Sequence, residues 1–337
     1  MTLRTKPAPV PALTPNDQGE PPERQFERYR VELTGYCYRM LGSPFEAEDA
    51  VQETFARGWR SLDRFEGRSS LRTWLYRIAS NVCLDMLKAN QRRARPMDLS
   101  GALTADDPLA PPLAETTWIE PVPDGRALTA SDDPAEQAVA RESIRLAFIA
   151  ALQHLPPRQR AVLILRDVLA WRASEVAQLL DTTVASANST LQRARAALAA
   201  RNLSAADLSE PKVETERSLL DRYVDAFQRY DLESLTALIQ EDAIQSMPPY
   251  SLWLRGRDEI LRWWTGPGIG CRGSRLIPVA ANGSPAFAQY KPSGPGGSFE
   301  PWSIQVLEIS AGSIVEFTFF LDTARLFPLF GLPPTVP

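Results

Sequence analysis

The spacing of apolar residues divides the 337-residue chain into helical and strand-like blocks. Residues 26–95 contain few Gly or Pro, and their apolar positions recur at intervals of three and four, which predicts helices with one buried face. The clearest stripe is Leu71, Trp74, Leu75, Ile78 and Val82. Residues 136–201 return to this period, and Pro156-Pro157 predicts a break between two of their helices.

The C-terminal block has a different pattern. Residues 216–239 predict two helices divided near Asp231, and from residue 243 onward short alternating runs predict strands. The last two runs flank Ala311-Gly312, which predicts a tight hairpin. We therefore expect an α+β domain with helices first and a curved antiparallel sheet after them.

Two segments follow neither period. Residues 1–23 are rich in Pro and polar residues and predict a disordered leader. Residues 97–137 mix Pro, Asp, Ala and Gly, with nine acidic residues against one basic residue, and predict an extended, well-solvated linker. The predicted domains are then two all-α blocks, residues 24–96 and 138–203, and the α+β block, residues 204–337.

Composition narrows the function classes. The apolar fraction of 44% and the charged fraction of 23% are ordinary for a globular protein. No apolar run approaches the ~18 residues of a membrane span, and we expect no secretory signal because the N-terminal residues lack an apolar core. With one His and three distant cysteines (Cys37, Cys83 and Cys271), we expect a reducing, cytoplasmic setting and neither a metal nor another cofactor.

The net charge of −4 conceals a segmental pattern. Residues 24–96 carry 14 Lys and Arg against 9 Asp and Glu, and residues 138–203 carry 9 against 4. Residues 204–337 are acidic, with 11 basic residues against 16 acidic ones. The two basic helical blocks favour a polyanionic partner, because contacts to phosphates release counterions.

Residues 172–198 predict two helices joined by a tight turn. We expect Ser174 to cap the first helix and the turn Asp181-Thr182-Thr183 to supply the cap of the second. The second helix has a core-facing stripe formed by Val184, Ala187, Leu191, Ala194 and Leu198. Its other face is small, polar and basic, which suits the major groove of DNA. An ordinary helical hairpin with a solvated polar face remains the alternative for this stretch taken alone.

Two motifs carry a family resemblance. Residues 155–195, LPPRQRAVLILRDVLAWRASEVAQLLDTTVASANSTLQRAR, resemble region 4 of sigma factors of the sigma-70 superfamily. Residues 42–93, which contain EDAVQETF followed by WLYRIASN, resemble region 2 of the extracytoplasmic-function (ECF) group. The resemblance implies a sigma factor that binds core RNA polymerase and directs promoter recognition and transcription initiation, and that is not an enzyme.

The resemblance also implies where region 2 makes its contacts. The EDAVQETF helix would dock on the clamp helices of the polymerase β′ subunit through Glu48, Asp49, Gln52, Glu53 and Phe55. Without the resemblance, a solvated acidic face is the simpler interpretation. The implied contacts to the −10 promoter element are Gly67, Arg68, Ser69, Ser70, Arg77, Asn81, Lys88 and Arg92.

Region 4 is implied to contact the polymerase β flap and the −35 promoter element. The −35 candidates are Arg172, Ser186, Asn188, Ser189, Arg193 and Arg195. We expect the Ser and Asn side chains to contact bases and the last two arginines to contact phosphates. The linker is implied to thread toward the active-centre cleft of the polymerase, where its acidic residues would imitate RNA.

Residues 213–264 resemble the opening of SnoaL-like domains, which are α+β cones of the nuclear-transport-factor-2-like superfamily with an internal pocket. In sigma factors fused to such a domain, the resemblance implies control of sigma activity, here by intramolecular contact with the sigma domains. Candidates for lining a small-molecule pocket are Tyr223, Trp253, Trp263 and Trp264, although large aromatic residues more often fill a core.

Two other function classes stay open at this point. The first is an isomerase or hydrolase cone regulated by its helical half, which the lack of any His after residue 203 disfavours. The second is a DNA-binding repressor that never contacts polymerase, in which the EDAVQETF motif would have no role.

Overall fold

The computed structural model describes residues 22–65, 67, 69–89, 92–200, 213–293 and 297–336. The predicted disordered leader therefore lies outside the described residues, except for its last two positions. The chain divides into two compact units. The first comprises residues 1–92, 125–144 and 151–203, and the second comprises residues 93–124, 145–150 and 204–337.

The first unit is helical, as the sequence predicts. Its N-terminal helices are α1 (Pro22–Glu27), α2 (Arg30–Leu41), α3 (Pro44–Arg60) and α4 (Leu71–Ala89). Gly42, at φ +79°, ends α2, and Ser43 caps α3 by accepting a hydrogen bond from the Glu46 N–H at 3.4 Å. The apolar faces of α2 and α4 meet around a buried hydrogen bond of 2.7 Å between Tyr36 Oη and Ser80 Oγ.

Six further helices follow in the middle of the chain. They are α5 (Asp124–Ala127), α6 (Pro134–Glu142), α7 (Leu146–Gln153), α8 (Pro157–Leu163), α9 (Ala173–Leu179) and α10 (Val184–Ala199). The turn Asp181-Thr182-Thr183 supplies the cap of α10, as predicted, and Thr183 is the residue that accepts from the Ser186 N–H at 3.1 Å. The prediction for Ser174 is wrong, because α9 starts two residues earlier, with Arg172 at its N-cap. The Glu175 carboxylate accepts from the Arg172 N–H at 2.7 Å.

The C-terminal part of the second unit is a mixed sheet with helices packed on it. The helices are α11 (Val213–Arg229), α12 (Leu232–Thr236), α13 (Arg257–Thr265) and α14 (Thr323–Leu329). The strands are β1 (Ile239–Ser246), β2 (Trp253–Arg255), β3 (Arg275–Ala281), β4 (Ser284–Pro292), β5 (Phe299–Ser310) and β6 (Ser313–Phe320). The α+β prediction is confirmed, and Asp231 caps α12 where the two helices were predicted to divide.

The sheet order is β2-β1-β6-β5-β4-β3. The hairpin predicted at Ala311-Gly312 joins β5 to β6, and both of its residues have positive φ, +50° and +78°. The prediction of a wholly antiparallel sheet is wrong at one pair, because β1 lies parallel to β6. These strands are separated by most of the domain, and such a long crossover permits a parallel neighbour that a short turn does not.

Residues 93–124, here called the strap, pack in the second unit rather than extending into solvent. Backbone hydrogen bonds of 2.9 Å join Leu103 N–H to Trp253 O and Leu113 N–H to Pro249 O. The buried apolar residues of the strap include Trp118, Ile119 and Val122, each at most 2% exposed. The expected solvated linker is therefore wrong for residues 118–122, which are buried, whereas residues 108–116 are exposed as predicted.

Among the described residues, none of the helices combines the length and the apolar composition that a membrane crossing needs.

Candidate functional site

Helix α10 presents a polar and basic face above a buried stripe. Ala187, Leu191 and Ala194 are buried, which anchors the helix. All six −35 candidates are exposed: Arg172, Ser186, Asn188, Ser189, Arg193 and Arg195. The two ends of the predicted stripe are less buried than its middle, because Val184 is 44% exposed and Leu198 is only partly buried. The resulting surface is a helix face with hydrogen-bonding groups, two cations and one exposed branched apolar side chain.

The two arginines of α10 have different surroundings. The Arg195 guanidinium donates to both carboxylate oxygens of Asp167, at 2.6 and 2.8 Å, and this bond raises the pKa of Arg195. Arg193 donates to the Thr190 hydroxyl at 3.2 Å. A phosphate contact by Arg195 therefore competes with a bidentate ion pair, whereas Arg193 gives up one neutral hydrogen bond.

Helix α3 presents an acidic face with one large aromatic side chain. Asp49 and Gln52 are exposed, as a docking face requires. Glu48 pairs with Arg126 at 3.0 Å and Glu53 with Arg57 at 2.7 Å, so both carboxylates already have basic partners. Phe55 is partly buried, with its ring 5.6 Å from that of Phe26 and under the Arg30 guanidinium at 5.0 Å.

Trp59 was missed by the sequence reasoning. It lies near the end of α3, is 50% exposed, and shares a face with Asp49 and Gln52, since the spacings are three and seven residues. Tryptophan is enriched among the residues that dominate protein–protein interfaces, so Trp59 is a further candidate for the docking face. The available signal was its position on the polar rather than the apolar side of the helix.

The −10 candidates separate into three groups. Gly67 is exposed at φ +67°, and a Cβ there would meet nothing within 4 Å, so a nucleotide has room to approach. Ser69 is partly buried, and Ser70 accepts from the Thr73 N–H at 3.1 Å, which makes it a helix cap. Arg68 lies outside the described residues.

The remaining −10 candidates form a basic face along and beyond α4. Arg77, Asn81 and Lys88 are exposed on the helix, as their spacing predicts. Lys88 pairs with Asp85 at 2.9 Å, and Arg92, beyond the helix, lies 2.9 Å from His154 Nε2. Trp74 is partly buried against Phe65, with ring centroids 5.0 Å apart, so it supports this helix from the apolar side.

A cavity lies inside the C-terminal domain. It encloses about 420 Å³ of empty space, part of it open to solvent, and aromatic side chains form most of its wall. These are Phe227, Trp263, Trp264, Trp302 and Phe319. The polar side chains on the wall are Tyr230, Gln245 and Cys271. Two of the four pocket candidates, Trp263 and Trp264, therefore line this cavity.

The other two pocket candidates lie elsewhere in the same domain. Tyr223 is fully buried beneath the cavity wall, and its hydroxyl donates to Gln305 Oε1 at 2.8 Å. Trp253 lies on the edge strand β2, where its indole N–H donates to the strap carbonyl of Ser100 at 2.9 Å. Both are structural contacts, which supports the core-filling alternative for these two aromatic residues.

Comparison with known proteins identifies the family. Family models match in the predicted order: sigma-70 region 2 over residues 25–93, sigma-70 region 4 over residues 145–198, and a SnoaL-like domain over residues 220–317. The ECF RNA polymerase sigma factor SigG of Mycobacterium tuberculosis is 43% identical, over 97% of this chain and 90% of that protein. This chain belongs to the ECF family of RNA polymerase sigma factors.

A second relative shares the fold. SigJ of Mycobacterium tuberculosis, also an ECF sigma factor, is 29% identical over 72% of this chain and 72% of that protein. The crystal structure of SigJ aligns with a TM-score of 0.58 and 23% identity, covering 92% of this sigma factor and all of SigJ. This likeness establishes a common architecture of helical sigma regions followed by a C-terminal α+β domain.

Two buried arginines of the sigma factor were invisible to the sequence reasoning. Arg39 on α2 donates to Ser143 Oγ at 2.7 Å and to Gly35 O at 2.8 Å. Arg160, on α8 of region 4, donates to Gln153 Oε1 at 2.7 Å and to Met40 O at the end of α2. Burial lowers the pKa of both arginines to about 10, which still leaves them charged at neutral pH.

Acidic residues of the strap have basic partners in the second unit. Asp106 pairs with Arg262, and Glu115 and Glu120 both pair with Arg325. Glu120 is 6% exposed and also accepts from Arg93 at 3.4 Å. The strap is therefore held to the C-terminal domain by ion pairs as well as by the backbone bonds described above.

Proposed function

We propose that this ECF sigma factor reads the −35 element through the exposed face of α10. The exposure of all six predicted contacts, over a helix anchored by three buried residues, is the observation that supports this most directly. In this proposal Ser186, Asn188 and Ser189 face base edges, and Arg193 neutralises a phosphate. Arg195 contributes less than Arg193, because Asp167 already holds its guanidinium.

In this proposal region 2 contacts both the polymerase β′ subunit and the −10 element. Asp49 and Gln52, joined by Trp59, dock on the clamp helices of the polymerase β′ subunit, and region 4 approaches the β flap. The basic face of Arg77, Asn81 and Lys88, together with Gly67, engages the −10 element. The protein acts in the cytoplasm, where its polymerase and promoters are.

The proposed control by the C-terminal domain acts through the strap. A strap bound by Arg325, Arg262 and the edge strand β2 is not available to enter the polymerase. Three of the acidic residues that would imitate RNA in the polymerase cleft, Asp106, Glu115 and Glu120, are paired in the second unit. Release of the strap therefore precedes productive initiation in this proposal.

Run-off transcription with purified core polymerase tests the promoter contacts. We expect the full chain to direct initiation at its promoter. Arg193→Ala is expected to weaken binding to all promoter sequences and to reduce the salt dependence of binding by the contribution of about one phosphate contact. Asn188→Ala is expected instead to alter base preference in the −35 element, by about 1–3 kcal/mol of discrimination at one position.

The matched control is Gln178→Ala, because Gln178 is an exposed residue on α9. This variant is expected to leave the transcript yield and the base preference in the −35 element unchanged. If Arg193→Ala altered preference while Asn188→Ala weakened all promoters equally, the two roles would be reversed. If the full chain did not associate with core polymerase, the proposal would fail altogether.

A further inference from the structure

Gln192 lies on the outward face of α10 and belongs to none of the contacts assigned above. An α-helix turns by about 100° per residue, so Gln192 lies about 60° to one side of Ser189 and Arg193 lies about 40° to the other side. Ser189 itself points almost directly away from the three buried residues of the helix, and all three side chains of this face are exposed. Gln192 is therefore directed outward as strongly as Arg193 is.

Arg195 is directed much more toward the buried side of the helix, at about 70° from the middle of the buried stripe. Its guanidinium donates to both carboxylate oxygens of Asp167, through Nε at 2.8 Å and Nη2 at 2.6 Å. Asp167 lies between α8 and α9, so this ion pair braces α10 from the side. The outward contacts in the third turn of α10 then fall to Gln192 and Arg193.

The outward side chains become longer toward the C-terminal end of α10. Ala185, Ser186 and Ser189, in the first two turns, are small and exposed, which lets the backbone approach base edges closely. Gln192 follows Ser189 by about 4.5 Å along the helix axis. Because the N-terminal residues of a recognition helix lie nearest the bases, a residue one turn later needs a longer side chain to reach a base edge. Gln192 provides that length.

The Gln192 amide has no competing partner within the ranges of the chain that the structure describes, because no hydrogen bond from its side chain is found there. Arg193, in contrast, donates to the Thr190 hydroxyl at 3.2 Å. A base edge that contacts Gln192 therefore replaces water and breaks no protein hydrogen bond.

The chemistry of the amide selects one base. A glutamine side chain presents a donor, Nε2, beside an acceptor, Oε1. In the major groove adenine presents the complementary pair, the N6 donor beside the N7 acceptor. Guanine presents two acceptors there, so the amide oxygen would face another oxygen or nitrogen lone pair, and cytosine and thymine each offer one hydrogen-bonding group. Adenine is the base that satisfies both ends of the amide at once.

We infer that Gln192 is a specificity-determining residue that reads one adenine of the −35 element, with Oε1 accepting from N6 and Nε2 donating to N7. This inference rests on the proposed function of α10 and deepens it, because it names a base and the two atoms that recognise it. Arg193, the next residue, anchors a neighbouring phosphate and so fixes the position of the amide along the groove.

Selection of promoter sequences by the holoenzyme tests the inference. The full chain is combined with purified core polymerase, and bound duplexes are recovered from a pool randomised at both promoter elements. We expect the wild-type protein to select A at one −35 position where Gln192→Ala shows no preference, while the other positions keep theirs. Gln178→Ala makes the same substitution at an exposed position on α9 and should select the wild-type sequence.

Two further measurements identify the atoms involved. On the selected promoter, 7-deazaadenine in place of that adenine removes the N7 acceptor. It should weaken binding by the wild-type holoenzyme about threefold to tenfold, which corresponds to one hydrogen bond, and should not affect binding by Gln192→Ala. Gln192→Glu keeps the length of the side chain and offers acceptors alone, so it should change the selected base from A to C, whose N4 is a donor.

Retention of the adenine preference by Gln192→Ala would overturn the inference. An equal loss of affinity of this variant for all −35 sequences would also overturn it, because that result indicates a phosphate contact. Equal weakening of the wild-type protein and Gln192→Ala by 7-deazaadenine would contradict the assignment to N7. If the holoenzyme selects a −35 sequence independently of Gln192, the inference alone is refuted. If the holoenzyme selects no −35 sequence, the proposed function of α10 is refuted as well.

Discussion

Gly35 shows how one residue depends on a distant segment of the chain. A Cβ added to this position in α2 would lie 2.3 Å from the carbonyl oxygen of Ala127 and 2.9 Å from the Arg39 guanidinium. The backbone after the strap therefore crosses α2 at Gly35, where a Cβ would collide with it. Arg39 then bonds to Ser143 further along the same segment. Nothing local marks Gly35, since a glycine inside a helix usually only lowers stability.

We predict that Gly35→Ala destabilises the helical unit. The gain of about 1 kcal/mol from better helix propensity is outweighed by the clash, and overpacking of this kind leaves a net loss of about 1–3 kcal/mol. Urea unfolding followed by circular dichroism measures the change. Gly125→Ala is the control, because a Cβ there meets nothing within 4 Å, and it should be neutral or slightly stabilising. Equal stability of the two variants would show that Ala127 does not pack on α2.

Helices α3 and α10 show which buried positions the hydrophobic period predicts correctly and which it does not. In the middle of α10 the period places Ala187, Leu191 and Ala194 correctly in the core. At its first residue the prediction for Val184 is wrong, because the preceding turn has ended the packing and no element covers that position. On α3 the same period places Trp59 on the face of Asp49 and Gln52, a position that the sequence reasoning left unused.

We predict that Trp59→Ala weakens the association with core polymerase by about tenfold or more, since tryptophans at the centre of an interface contribute 2 kcal/mol or more. Size-exclusion or fluorescence binding to core enzyme measures the change. Val139→Ala is the control, because Val139 is a 49% exposed apolar residue on α6, away from that face. If the two variants bound core polymerase with equal affinity, Trp59 would not belong to the docking surface. DNA binding through region 4 is not expected to change in either variant.

The strap, residues 93–124, is bound to the C-terminal domain by backbone hydrogen bonds and ion pairs. Its composition predicted a solvated linker, yet its backbone completes the edge of the sheet at β2 and its acids pair with Arg93, Arg262 and Arg325. Pairing at a distance of some 200 residues along the chain, as between Glu115 and Arg325, has no local signature in the sequence.

We predict that Arg325→Ala loosens the strap. Loss of the partly buried pair with Glu120 costs about 1–2 kcal/mol, which shifts the equilibrium toward the released strap by about fivefold to thirtyfold. Limited proteolysis should cleave residues 93–124 faster, and run-off transcription should rise. Arg222→Ala, at an exposed position on α11, is the control and should change neither. Faster cleavage with no change in transcription would separate the strap from the control of activity.

The sequence by itself determined the order of the domains, the helical and α+β classes, a cap within the turn Asp181-Thr182-Thr183, the hairpin at Ala311-Gly312 and the family. Each of these depends on neighbours within a few residues or on a contiguous motif, so spacing is enough to find it. Most of the exposed −35 and −10 candidates follow from the same periodicity, and their roles remain predictions.

Only the tertiary structure decided the parallel pair β1–β6, the docking of the strap, the buried Arg39 and Arg160, and which tryptophans face the cavity. Trp263 lines it and Trp253 does not, although both are apolar residues in the same domain. In each case the partner lies far away along the chain, and the free energy of the contact depends on burial and geometry that residue order does not encode locally.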